Sequence, residues 1–135
     1  MPNPKKDFRE IPLQLPALRA LGARLGAVKV KAILQDFYKR MAQDVMIGYF
    51  FEGKNLDEIA EKQAAFLARA MGIAPTYSGK PPADVHTGLP PILSGHFDRR
   101  LKLLEETLRD HSLEEHEIQT WLTFENTFRA GIVKT

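Results

Sequence analysis

The sequence contains no cysteine, which excludes disulfide bonds, thiolate metal sites, cysteine-held iron–sulfur clusters and a cysteine nucleophile. It has no apolar run near the ~18 residues that span a bilayer, and the opening MPNPKKDFREIP lacks the continuous apolar stretch of a signal peptide. Neither sign of charge dominates, since the chain has 19 Lys and Arg and 17 Asp and Glu. The basic residues do not form a stripe of the kind that indicates nucleic-acid binding. We therefore expect a cytoplasmic protein, with any cofactor held by histidine, carboxylate or packing.

Length and composition indicate a single folded domain. The 135 residues fit one hydrophobic core, and 44% hydrophobic with 27% charged residues is close to the average of soluble globular proteins. Four prolines within the first 16 residues fix backbone angles and remove hydrogen-bond donors. We therefore predict an N-terminal arm over residues 1–15 and one domain over residues 16–135.

Apolar residues recur at helical spacing in several stretches, and no stretch alternates in the manner of a strand. The clearest helix begins at Ala27 and carries an apolar face through Met41, after a shorter helical segment over residues 17–24. A second long helix is predicted to begin after a cap at Asn55 and to end at Gly72. These patterns predict an all-α fold.

The remaining segments complete this helical prediction. Residues 48–55, GYFFEGKN, form a predicted loop whose two phenylalanines should turn inward. A third helix is predicted to begin at a cap formed by Ser94, and a fourth at a capping box that joins Ser112 to Glu115. One helical turn over residues 83–87 is predicted between two proline pairs.

Two polar side chains fall on the predicted apolar faces. Gln63 lies four residues from both Ile59 and Leu67, and Tyr38 lies eight residues after Val30. Burying an amide or a hydroxyl without a partner costs on the order of 1–3 kcal/mol, so each side chain should meet one. The partner is either a neighbouring protein group, which makes them satisfied core residues, or a ligand.

His86 lies on the predicted turn between the proline pairs, a rigid mount for one imidazole. Imidazole is a good ligand for iron, zinc and copper, but the sequence has no second histidine at metal-site spacing. A lone histidine is therefore either structural or the protein ligand of a cofactor that brings its other ligands. A porphyrin supplies four nitrogens and needs only one from the protein.

Several short segments occur in a characteristic order along the chain: QDFYKR (35–40), FFEGKN (50–55), KQAAF (62–66), YSG (77–79) and VH (85–86), followed by LPP (89–91) and HFDRRL (96–101). In these segments the chain resembles the truncated haemoglobin family. The segments up to His86 resemble the first group of that family, and those after His86 resemble the third group. The resemblance covers about Gly26 to Leu108, and it implies a two-over-two helical sandwich around a haem.

The resemblance implies an iron ligand and a distal side for this chain. His86 matches the proximal histidine that binds the iron of haem b. Tyr38 and Gln63 match the hydrogen-bonding pair of the first group, whose donors suit the partial negative charge of a bound dioxygen. Ile59 stands where the third group usually has a distal histidine, so this pocket should lack one.

Further residues match positions around the porphyrin. Phe51 matches the phenylalanine that stacks on it, and Phe97 matches an aromatic residue that packs against it. Lys62 and Tyr77 match positions near the haem edge and its propionates. Arg100 occupies the position of a distal tryptophan in the third group, and its head group should meet solvent, an acidic side chain, a propionate or charge on a distal ligand.

The function implied by the resemblance is reversible binding of dioxygen, nitric oxide, carbon monoxide or another small ligand at the haem iron, for storage or transport. A redox enzyme is an alternative, either oxidising nitric oxide with dioxygen or reducing peroxide. Such an enzyme needs a separate reductase, because the sequence shows no flavin or nicotinamide domain. A helical interaction module without haem is the remaining alternative.

Overall fold

The computed structural model describes residues 12–73 and 91–134. Within these two ranges all regular structure is helical, which confirms the all-α prediction. The elements in order are α1 (Leu15–Gln43), a 3₁₀ helix (Gly48–Phe51), α2 (Leu56–Ala70), α3 (Ser94–Asp110), α4 (Glu115–Asn126) and α5 (Arg129–Ile132). The turn predicted over residues 83–87 lies outside the described residues, and the boundary between an arm and a domain stays a prediction.

Helix α1 consists of two helical segments that meet at Gly26. The backbone there has φ 76° and ψ 163°, a combination that is open essentially to glycine alone. The break separates the predicted short segment from the long helix that was predicted to begin at Ala27, so both predictions are confirmed. Pro16 lies in the first turn of α1, where its missing N–H costs no helical hydrogen bond.

Helix α2 begins and ends as its sequence predicts. The side-chain oxygen of Asn55 accepts a hydrogen bond from the backbone N–H of Glu58, at 3.1 Å, which satisfies one open donor of the first turn. Two acidic residues in that turn complement the helix dipole. After the helix, Gly72 adopts φ 76°, the left-handed conformation that ends many helices.

The predicted cap at Ser94 is wrong, because Ser94 is already the first residue of α3. The imidazole Nδ1 of His96 accepts instead from the backbone N–H of Leu93, at 3.0 Å. The Ser94 hydroxyl accepts from Arg129, at 3.0 Å. Ser94 therefore pairs with Arg129, near the end of the chain, and does not cap α3.

The predicted capping box from Ser112 to Glu115 is also wrong by two residues. Ser112 lies in the turn before α4, with φ 65°. The helix begins at Glu115, and the backbone N–H of Glu114 donates to Oε1 of Glu117 at 2.9 Å. Glu117 thus supplies the side-chain acceptor of a capping box at the start of α4, and the same carboxylate also pairs with Arg24 of α1.

The core forms where the apolar faces of the four longer helices meet. Its fully buried side chains include Leu18, Ile33, Leu34, Phe37, Leu67, Met71, Leu104, Leu108, Ile118 and Trp121. At Gly22 of α1, an added Cβ would lie 2.5 Å from the Cβ of Met71, the residue that follows α2. Glycine at this position therefore allows α1 to pack closely against the end of α2.

Candidate functional site

A cavity of about 370 Å³ lies between the helices, within the 300–1,000 Å³ range typical of small-molecule and cofactor sites. Most of its lining is aromatic or aliphatic. These apolar residues are Met41, Ile47, Phe50, Phe51, Ile59, Phe66, Ile92, Phe97, Phe128 and Ile132. The polar lining is Tyr38, Lys54, Lys62, Gln63, His96, Arg100 and Glu125. An apolar slot with a few convergent polar groups suits a largely apolar ligand.

Most of the predicted site residues come together in this cavity. Those that line it are Tyr38, Phe51, Ile59, Lys62, Gln63, Phe97 and Arg100. They come from α1, α2, α3 and the 3₁₀ helix, so only the fold brings them together. The other two, His86 and Tyr77, lie outside the described residues.

Tyr38 is buried on α1, with 5% of its surface exposed. Its ring packs against those of Phe37 and Phe51, at centroid distances of 5.5 and 5.8 Å. Burial raises the pKa of the phenol, and this outweighs the opposing effect of the nearby Arg100 guanidinium. The side chain is therefore a neutral phenol near pH 7, and it retains a proton to donate.

Gln63 and Ile59 lie one turn apart on α2 and both face the cavity. Gln63 is half-buried, so its amide reaches the cavity from the helix opposite Tyr38. Ile59 contributes only apolar surface, at the position where the third group of the truncated haemoglobins usually has a distal histidine. The polar groups offered here are thus one phenol and one amide, on two different helices.

Two lysines line the cavity at its exposed side. Lys54 and Lys62 are both exposed, and the ammonium of Lys62 lies 3.0 Å from a carboxylate oxygen of Glu58, one turn earlier on α2. This pair is solvent-exposed, so it contributes little to stability and leaves the lysine able to exchange partners. Cations at the rim of an apolar slot suit a ligand that carries carboxylates on one edge.

Arg100 forms an ion pair with Glu125 in the cavity wall. Its Nη1 donates to Oε2 of Glu125 at 2.8 Å, and its guanidinium carbon lies 5.2 Å from the ring centre of Phe37. Burial lowers the pKa of Arg100, but the Glu125 carboxylate and the neighbouring Tyr38 together outweigh that effect, so the net shift of the Arg100 pKa is upward. Of the partners considered for Arg100, the structure provides the acidic side chain.

Glu125 is the cavity residue that the sequence reading missed. It lies four residues after Trp121 on α4, on the same face as Ile118 and Leu122. Its second oxygen accepts from the indole N–H of Trp121 at 3.2 Å. A carboxylate on an apolar helix face is the same signal that singled out Gln63, and it was available in the sequence.

His96 is a second unexpected member of the lining. It is half-buried, and its ring meets that of Phe50 edge-on at a centroid distance of 5.2 Å. Its Nδ1 accepts from the backbone N–H of Leu93, and its Nε2 lies 3.5 Å from the hydroxyl of Tyr49. In residues 12–73 and 91–134, no three histidine or carboxylate side chains are grouped to hold a metal ion.

The lining fits a haem. The group is flat and apolar, with two carboxylates on one edge, and it needs little beyond aromatic walls, rim cations and one axial ligand. The phenylalanines provide the walls, and Lys54 and Lys62 provide cations. Separately, none of the helices described is long and apolar enough to cross a membrane.

Comparisons with known proteins agree with this fit. A family model described as bacterial-like globin matches residues 21–133. The group 1 truncated hemoglobin of Tetrahymena thermophila is 29% identical over 85 residues, which cover 63% of this chain and 69% of that protein. The group 1 truncated hemoglobin LI410 of Chlamydomonas moewusii is 33% identical over 93 residues, which cover 67% of this chain and 54% of that protein.

A solved structure shares the fold. The 2/2 hemoglobin from Synechococcus sp. PCC 7002, determined in the cyanomet state with covalently attached heme, superimposes with a TM-score of 0.74. The match covers 84% of this chain and 97% of that one, at 22% sequence identity. A family model that spans most of the chain and a shared two-over-two fold lead to one conclusion: this chain belongs to the bacterial-like globins and has the fold of a truncated haemoglobin.

Proposed function

We propose that this globin holds haem b in the cavity, with His86 as the protein ligand of the iron, and that it reversibly binds dioxygen or a similar small ligand there. The supporting observation is that Tyr38 and Gln63, from two different helices, both line one apolar cavity. Polar donors are expensive to bury, and two that converge on a cavity indicate a ligand with an acceptor atom.

When bound, haem supplies an iron atom with an open position for a small ligand. The chain's own residues bind and shield it. Phe51 and Phe97 offer flat and edge contacts to a planar ring, and the remaining apolar lining excludes water. Lys62 is exposed and can exchange Glu58 for a propionate, and Tyr77 is proposed for the same edge from the resemblance alone.

The distal selectivity comes from the donors that Tyr38 and Gln63 present. Tyr38 is a neutral phenol held by two neighbouring rings, so its hydroxyl needs little reorganisation to donate. Gln63 offers an amide N–H from the opposite helix. Both favour a ligand with partial negative charge, such as dioxygen, over carbon monoxide, which carries less charge on its outer atom.

The experiment that tests the iron ligand compares absorption spectra of ferric, ferrous and carbon monoxide forms for the wild type and His86→Ala. We expect His86→Ala to lose stoichiometric haem or the spectrum of a five-coordinate, histidine-bound ferrous haem. The matched control is His116→Ala, whose side chain is 76% exposed on α4. A wild-type ferrous spectrum in His86→Ala contradicts the assignment.

One further measurement separates reversible binding from turnover. The ferrous protein is mixed with limiting dioxygen or nitric oxide and an excess of reductant, and the gas is followed with an electrode. Stoichiometric uptake that reverses on purging supports binding. Consumption over many equivalents of protein supports a redox enzyme served by a separate reductase.

A further inference from the structure

His96 is a polar residue of the cavity lining to which the proposed function assigns no role. It is half-buried, and its ring packs edge-on against that of Phe50. In the part of the chain that the structure describes, His111 and His116 each lie within ion-pair distance of a carboxylate, whereas His96 forms no such pair. An imidazole that lines an apolar cavity without an acidic partner is available to a ligand.

The hydrogen bonds of His96 determine which of its nitrogens carries the proton. The backbone N–H of Leu93 can only donate, so Nδ1 of His96, 3.0 Å away, accepts with its lone pair. A neutral imidazole that accepts at Nδ1 carries its hydrogen on Nε2. Iron ligation through Nε2 requires the opposite tautomer, whose Nδ1–H would face the N–H of Leu93. His96 is therefore a neutral donor and not a second iron ligand.

The Nε2–H group of His96 lies at the exposed edge of the cavity. It is 3.5 Å from the hydroxyl of Tyr49, a side chain that is 46% exposed. Ordinary N–H···O bonds measure 2.7–3.2 Å, so this contact is weak and a ligand can replace it. Lys54 lies beside the same 3₁₀ helix, because its backbone N–H donates to the carbonyl of Phe51. The donor of His96 and the rim lysine thus flank one element.

We propose that His96 binds a carboxylate on the edge of the ligand, with its Nε2–H as the donor. This inference rests on the proposed function, in which the ligand is haem and the carboxylate is one of its propionates. A hydrogen bond to an ionised carboxylate is roughly twice as strong as one between neutral groups. The rim lysines then supply charge, and His96 supplies a bond of fixed direction.

The principal test measures how fast the ferric protein loses its porphyrin to an excess of a haem-scavenging apoprotein. Two porphyrins are compared: haem b, and its dimethyl ester, in which neither propionate is ionised. His96→Glu retains an acceptor for the N–H of Leu93, since glutamate makes the same capping bond at this helix position, but it replaces the donor with a negative charge. We expect this variant to lose haem b about 10-fold faster or more, and the ester less than about twofold faster, than the wild type.

Two further variants control for charge and for the cap. His116→Glu adds the same charge at a side chain that is 76% exposed and outside the cavity lining, so it should lose both porphyrins as the wild type does. His96→Gln keeps the acceptor of the cap and offers a shorter amide donor, so its loss of haem b should fall between those of the wild type and His96→Glu. The Tm of each apoprotein should stay within about 2 °C of the wild type, which shows that the cap is retained.

A second readout follows the His96 proton itself in the intact carbon monoxide form. The histidines are labelled with ¹⁵N, and the signals of His96 are assigned by their absence in His96→Gln. We expect a proton on Nε2 and none on Nδ1, with the Nε2–H proton signal further downfield for haem b than for the ester. A histidine that only caps α3 would give the same signal with both porphyrins.

The outcomes separate this inference from the function on which it rests. If the wild type binds no haem, the proposed function fails, and the role of His96 fails with it. If haem b binds but His96→Glu loses it no faster than the wild type, or loses both porphyrins equally faster, only the carboxylate role of His96 is overturned. If His96→Glu does not fold, the wild-type spectra decide, because an Nε2–H signal that does not respond to esterification overturns the proposal.

Discussion

At the scale of single residues, Tyr38 and Gln63 provide the sharpest prediction for ligand binding. Each donor removed from the cavity should weaken dioxygen binding by roughly 1–3 kcal/mol, or about 10- to 100-fold in affinity. We expect Tyr38→Phe and Gln63→Leu to act mainly through faster dissociation. The lost hydrogen bond would have stabilised the bound state, and most changes of this kind appear in the dissociation rate. Stopped-flow and flash-photolysis rates for dioxygen and carbon monoxide measure the effect.

Carbon monoxide is the internal control for this pair of variants. It carries little charge on its outer atom, so its dissociation should change much less than that of dioxygen. Gln119→Leu, a substitution on α4 outside the cavity lining, controls for an altered amide elsewhere. Equal changes for both gases would assign the effect to altered packing and remove the donor role.

The sequence predicted the polar residues of the cavity only in part, and the reason is local. Gln63 and Tyr38 stand out because each interrupts an apolar face of its own helix, and the cavity explains both. Glu125 interrupts the face of α4 in the same way, but its partner Arg100 lies 25 residues earlier on another helix. Helical periodicity identifies the face of a residue and not the residue opposite, so the ion pair required the fold.

At the scale of elements, the break in α1 predicts that replacing Gly26 destabilises the protein. Gly26 has φ 76° and ψ 163°, and no other group lies within 4 Å of the position of an added Cβ. Any cost of Gly26→Ala is therefore backbone strain, which we expect to lower the free energy of unfolding by about 1–3 kcal/mol. Denaturant unfolding of the holoprotein, followed by circular dichroism, measures it.

Val28→Ala is the control for this element. Val28 is 86% exposed two residues after the break, so its truncation should change the free energy of unfolding by less than about 0.5 kcal/mol. If Gly26→Ala is as stable as the wild type, the two segments of α1 do not require a left-handed residue between them. The position of the break before the long helix that carries Tyr38 would then not depend on glycine at residue 26.

The helix ends show where local patterns suffice. Asn55 caps α2 as predicted, since its side-chain oxygen accepts from the backbone N–H of Glu58 in the first turn. Ser94 and Ser112 fail as caps, since Arg129 engages the first and the turn before α4 places the second outside the helix. A cap contributes only about 1 kcal/mol, so a tertiary contact of similar strength overrides it.

At the scale of the whole molecule, the cavity is the feature that no single segment predicts. The apolar periodicity of each helix predicts burial but does not distinguish a filled core from a cavity of about 370 Å³. The resemblance to the truncated haemoglobins was needed to predict a haem between these helices. The cavity lining gives that prediction physical content, because apolar walls of this extent stabilise the fold best when they are occupied.

This leads to the last prediction, that haem stabilises the whole domain by mass action. Haem binds the native cavity and hardly the unfolded chain, so free haem at 100 times its Kd should add about 2.7 kcal/mol to the free energy of unfolding. For a domain of this size that corresponds to a rise in Tm of about 10 °C. Calorimetry of the apoprotein at increasing haem concentration measures it, with His116→Ala expected to follow the wild type and His86→Ala to show a smaller rise. A Tm that does not depend on haem concentration would mean that the cavity is not a haem site.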